Sequence, residues 1–129
     1  MKITKFISLQ FNASPTTTAS IDVGFKVSKI HVKSIAYEAS TLGKTDYVVL
    51  MSNLGDANQP LGVLFQDNTY ASTPISDVEI KFFQPESVQG SYTFILLNMN
   101  GTVASTSNNG LGNDSVGMVV EFNSLEESN

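Results

Sequence analysis

Chemistry near neutral pH is usually done by histidine, cysteine, arginine and paired carboxylates, because these groups donate, accept or neutralise charge in that range. Of them this chain has a single histidine, His31, and among its 129 residues there is no cysteine, arginine or tryptophan. His31 lies between Lys29 and Lys33, on the face opposite Ile30 and Val32. With no second histidine, cysteine or acid at ligand spacing, it reads as a surface residue on a strand and not as a metal ligand or a base. Cupin-like metal chemistry needs two or three histidines, so it too is set aside.

The remaining candidates are oxygen-rich loops. Asn53-Leu54-Gly55-Asp56-Ala57-Asn58 carries ligands of the kind calcium takes, as does Asn113-Asp114 beside Gly112. Asx residues next to glycine are also what a tight turn requires, because they bond their own backbone and tolerate left-handed conformations. The turn reading is preferred for both. Three Asn-x-Ser/Thr sequons, at Asn12, Asn100 and Asn113, read as chance matches in a chain rich in these residues. Lys26, Lys29, Lys33 and Lys44 form a modest basic cluster, read as a solvated face. No catalytic, cofactor-binding or metal residue is assigned, and the chain is expected not to be an enzyme.

Tyr37, Tyr47, Tyr70 and Tyr92, with eight phenylalanines, could form a stacking platform for sugars or bases. Phe25, Phe65, Phe82, Phe94 and Phe122 all fit strand positions, so most aromatics are expected in the core. Tyr70, in a polar stretch, is the one expected to be exposed.

These residues are carried on strands. Period-two alternation, the mark of a strand with one buried face, recurs along the chain. It runs through Ile3, Ile7, Leu9 and Phe11, then through Ile21, Val23, Phe25 and Val27. At Ser28-Lys29 the phase flips to Ile30 and Val32, and near Ser34 it flips again to Ile35 and Tyr37. A one-residue slip moves every side chain to the other face, so these flips require a tight turn, a bulge or a crossing between sheets. Asp46 to Leu54 reads as a central strand and Leu61 to Gln66 as a short one. Val78, Ile80 and Phe82 follow, with Pro85 as the stop. Tyr92 to Met99 is expected deep between two layers, turning at Asn100-Gly101, and Val116 to Phe122 is the last strand. Asn12–Ala19, Gly55–Pro60, Asp67–Ser76 and Thr102–Gly117 read as loops.

No segment has a capped helical stripe. The expectation is one all-β domain over residues 1–129: an eight-stranded antiparallel β-sandwich, a single jelly roll, with a short acidic tail at 125–129. The net charge of -5 comes from 12 acids against seven lysines, and no basic residue follows Lys81. Direct nucleic-acid contact is therefore not expected. Without an apolar run of ~20 residues, membrane insertion is not expected either. The N-terminal alternation marks a strand and not a signal peptide.

Phe25-Lys-Val-Ser-Lys-Ile-His-Val-Lys-Ser-Ile-Ala-Tyr37 and Gln89-Gly-Ser-Tyr-Thr-Phe-Ile-Leu-Leu-Asn-Met-Asn-Gly101, with Tyr47 to Leu54 between them, carry a resemblance. Over about residues 20–123 the pattern resembles small single jelly-roll virion proteins. These are the penton and minor capsid proteins of the double jelly-roll lineage, which includes tectiviruses, virophages and large DNA viruses. Gly-x-Tyr-x-Phe also recurs in unrelated sandwiches, including tumour-necrosis-factor-like trimers. The resemblance implies a structural virion protein, made in the host cytoplasm and placed in the capsid. It would assemble with itself, as a pentamer, and with major capsid or spike proteins. It implies no cofactor. The alternative is a carbohydrate- or peptide-binding β-sandwich module, lectin- or adhesin-like.

Overall fold

The alternation from Ile3 to Phe11 becomes strand β1 (Lys2–Asn12), and that around Val116 to Phe122 becomes β6 (Asn113–Asn123). The two pair antiparallel from Lys2↔Asn123 to Asn12↔Asn113 with no break in register. Between them lie β2 (Thr16–Glu38), β3 (Val48–Ser52), β4 (Gln59–Leu64) and β5 (Val78–Asn98). The computed structural model describes residues 1–39, 47–55, 58–65 and 78–124, and these contain strands and no helix.

All six strands join one antiparallel sheet in the order β1-β6-β2-β5-β3-β4. Its backbone is the ribbon made by the two longest strands. β2 has 23 residues and β5 has 21. β2 pairs with β5 from Thr16 to Val32 and with β6 from Lys29 to Glu38, so Lys29 to Val32 lie between the two partners. β5 passes from β2 to β3 at its C-terminal end, where Phe94 to Asn98 pair with Ser52 to Val48.

Both phase flips in β2 coincide with breaks in register. The first lies between Val27 and Lys29 in the β5 pairing, and the second between Val32 and Ser34 in the β6 pairing. The bulge is thus the outcome, of the three devices the sequence left open. At the second break one extra residue on β2, and at the first Phe82 to Pro85 of β5 against Ser28, interrupt the ladder so that the strand continues while its inward set changes parity. Buried Val27, Ile30, Val32, Ile35 and Tyr37 all reach one core in this way.

β1 and β4 sit at opposite ends of the strand order, yet Leu9 and Phe11 belong to the same buried cluster as Leu61 and Leu64. The sheet must therefore fold over on itself, and the bulged ribbon is where it bends. The fully buried rings Tyr37, Phe11, Phe94 and Phe122 fill the space between the two halves.

Several boundaries differ from the sequence reading. Among the described residues there are six strands where eight were expected, because bulges do not end a strand and two long strands each replace several short ones. Pro85 is not a stop. The register moves from Val27↔Glu86 to Lys29↔Lys81, which sets Phe82 to Pro85 opposite Ser28, and a residue without an N–H is tolerated in such a bulge. Tyr92 to Met99 buries one face only, with Phe94 and Leu96 inward and Ile95 and Leu97 half-buried. The Thr102–Gly117 loop is shorter than expected, since β6 begins at Asn113 and Val103 bridges to Leu97. The expected turn at Asn100-Gly101 is present: Gly101 has φ 89°, and its N–H donates to Asn98 O at 2.9 Å. Asp67–Ser76 and the acidic tail at 125–129 lie outside the described residues.

Candidate functional site

His31 is half-buried on the outer face of β2, and the sheet register puts an acid on each side of it: Glu121 on β6 and Glu79 on β5. Neither was legible from spacing, because both come from strands distant in sequence. Lys29 Nζ lies 3.2 Å from Glu79 Oε2, and Lys33 Nζ lies 3.6 Å from Glu121 Oε2. Burial works to raise the Glu121 pKa. The Asn123 side-chain amide, donating at 3.3 Å, and the charges of Lys2, Lys33 and His31 outweigh it and hold the carboxyl below its usual 4.5. Two of the four clustered lysines are thus in ion pairs across strands. Among the described residues no three His, Cys, Asp or Glu side chains converge as a metal site would require. Lys44 lies outside the described residues.

The Asx loops act on the backbone. Asn53 Oδ1 accepts from the N–H of Thr93 at 2.9 Å and so ties the end of β3 to β5. Asp56 lies outside the described residues. Asp114 is fully buried: its Oδ2 accepts from the Tyr37 hydroxyl at 2.7 Å, and its Oδ1 accepts from the Gly112 N–H at 3.4 Å. Tyr37 and Asp114 therefore form a polar clasp inside the core, joining β2 to β6. The sequons fall at the end of β1, on the turn after β5 and at the start of β6, where Asn12 and Asn113 face each other in register.

The aromatics divide differently from the sequence reading. Phe94 and Phe122 are fully buried, and Phe25 and Phe82 pack against the core. Tyr92 is half-buried, and its hydroxyl oxygen accepts from the N–H of Gln89 at 3.0 Å. Tyr70 lies outside the described residues; among the described aromatics, Phe6 is 70%, Phe83 94% and Tyr47 50% exposed. The sequence reading missed all three, although the alternation carried a signal for two of them. Phe6 stands at an even position in a strand whose inward residues are odd, and adjacent Phe82 and Phe83 cannot both face inward.

Phe6 stands in an apolar patch on the outer face. Its register partner is Val119, and the next row is Ser8, Gly117 and Ala36. The ring lies over Gly117, where a Cβ would stand 3.0 Å from Phe6 Cζ. Small residues at Ser8, Gly117 and Ala36 leave a shallow depression of about 320 Å³ beside the ring. The charged row of Glu121, His31 and Glu79 lies toward one end and Glu38 toward the other. An apolar centre with a polar rim is the anatomy of a protein–protein contact.

Neither a protein-family model nor a curated protein matches the chain. Solved structures of similar shape include a Drosophila NLP core, from a study of pentamer formation and histone binding. It is 20% identical at a TM-score of 0.49, over 95% of this chain and 98% of that one. The VP2 subviral particle of infectious bursal disease virus is 15% identical at 0.40, over 95% of this chain but 31% of that one. A T=1 particle derived from the infectious bursal virus is 9% identical at 0.37, again over 31% of its chain. At these scores the likeness is loose and bears on neither the partners nor the activity of the present chain.

Proposed function

We propose that this chain is a non-catalytic structural subunit that works by joining copies of itself and other shell proteins. In its finer form the reading is a penton-like vertex or minor capsid protein of a virion, with a single jelly-roll fold. The observation that carries it is the outer-face patch of Phe6, Val119, Gly117 and Ala36, held on three paired strands and rimmed by charge. A sheet face turned to water ordinarily carries polar residues. An aromatic anchor beside a depression lined by small residues, on a rigid sheet, suits docking against a neighbour. A ring of identical subunits needs a heterologous contact of this kind, made by side chains and not by reactive groups.

The test is the mass of the native protein by native mass spectrometry across concentration and salt. A discrete pentamer is expected for a vertex protein, and a trimer would redirect the reading to a spike or cement protein. A monomer at every concentration would overturn self-assembly.

A further inference from the structure

At the other end of the sheet, the turn after β5 and the loop that precedes β6 enclose a depression of about 580 Å³. It is lined by Tyr47, by exposed Met99 and by the polar residues Asn98, Asn100, Thr102, Asn108 and Asn109. Tyr47 is half exposed and stacks on Phe65 with ring centroids 4.7 Å apart and planes 24° from parallel. Phe65 thereby covers one face of the tyrosine, and Tyr47 is at the same time part of the lining of the depression. No charged side chain lines it among the described residues.

The amides are organised by bonds among themselves. Asn109 Nδ2 donates to Asn98 Oδ1 at 2.8 Å, and Asn98 Nδ2 donates to Thr102 Oγ1 at 3.1 Å. Thr102 Oγ1 donates in turn to Asn100 Oδ1 at 2.7 Å. Asn100 Oδ1 accepts from both the N–H and the hydroxyl of Thr102, and Asn108 accepts from the Ser105 N–H and donates to Val103 O. Each amide has two N–H donors, and part of that donor capacity remains. Asn109, only 9% exposed, keeps a buried Oδ1 with no hydrogen-bond partner. A buried acceptor in that state is costly, and a ligand hydroxyl that reached it from the depression would supply the missing donor.

The geometry points to a binding site for a neutral saccharide. A pyranose has an apolar C–H face that suits a tyrosine ring and a rim of hydroxyls that both donate and accept, as side-chain amides do. An anionic or cationic ligand would find no countercharge in the described lining. This inference is independent of the assembly reading, because its readout is a ligand titration and not an oligomeric mass.

The experiment is an amide chemical-shift titration of the full chain with four methyl glycosides, of glucose, galactose, mannose and N-acetylglucosamine, up to about 50 mM. Saturable shifts confined to Tyr47 and the 98–109 segment are expected for at least one sugar, with a Kd on the order of millimolar. Tyr47→Ala should weaken binding at least about tenfold, and Tyr47→Phe should retain it, since the ring and not the hydroxyl carries the stacking. Asn100→Ala, on the exposed turn, repeats the test without touching the aromatic pair. Absence of saturable shifts with all four sugars would overturn the site, as would binding unchanged in both alanine variants.

Discussion

Tyr37 and Asp114 join two fully buried side chains through a 2.7 Å hydrogen bond inside the core. A buried carboxylate that loses a donor regains no water, so removing the hydroxyl costs more than the bond's net worth. Tyr37→Phe is expected to destabilise by about 1–3 kcal/mol, read from urea unfolding, with the fold retained. Glu121 behaves differently because it lies at the surface of the sheet. Its folded pKa is below the 4.5 of the unfolded chain, so its contribution is present above that value and lost as pH falls through the folded pKa. Glu121→Gln should therefore lower the urea midpoint at neutral pH and flatten its fall between about pH 5 and 3. An unchanged acid limb would show that the lysines and His31 around it contribute nothing to stability.

Among the elements, β2 is the one that departs most from a regular strand, and its bulges assign separate roles to adjacent residues. In the β6 ladder Val32 faces Val120 and Ser34 faces Val119, which makes Lys33 the extra residue. Deleting Lys33 leaves Ile30, Val32, Ile35 and Tyr37 opposite Phe122, Val120, Met118 and Val116, with parity intact. The expected cost is the local twist and an ion pair whose lysine is 48% exposed, about 1–2 kcal/mol in urea unfolding. Deleting Ala36 instead turns Tyr37 and its clasp outward, and a dispersed amide spectrum should be lost. Equal outcomes for the two deletions would mean that register here is not set by the inward side chains. The two flips at Ser28-Lys29 and Ser34 were legible from residue order alone, because burial of one face leaves no other way to place Ile30 and Ile35. That they are bulges and not turns was not legible, since each device produces the same change of parity.

At the scale of the molecule, the doubled sheet leaves an outer face on β1, β6 and β2 that the core does not use. Phe6 stands on it at 70% exposure. If the patch is where copies meet, Phe6→Ser should shift the native mass toward the monomer without lowering the urea midpoint, because the ring adds little to the internal core. A substitution that leaves the oligomer intact would place the contact elsewhere, and the bulge bearing Phe83 is the next surface to test. Salt should act mainly on the rim, where Lys29–Glu79 and Lys33–Glu121 stand at the margin of the patch.

The alternation of side chains by itself determined the all-β class, the inward residues of β2, β6 and the Ile7 to Phe11 part of β1, with Ile3 exposed instead, and the turn at Asn100-Gly101, because period and parity are local properties. The even position of Phe6, opposite the inward odd set, was a signal in that pattern that the sequence reading passed over in favour of Tyr70. Tertiary structure alone decided that Glu79 and Glu121 flank His31, that Tyr37 meets Asp114, and that Tyr47 lines a depression with Asn98 and Asn109. Each of these joins segments far apart along the chain, and strand order and register, which bring them together, depend on how a folded sheet fills one core and not on any single stretch of residues.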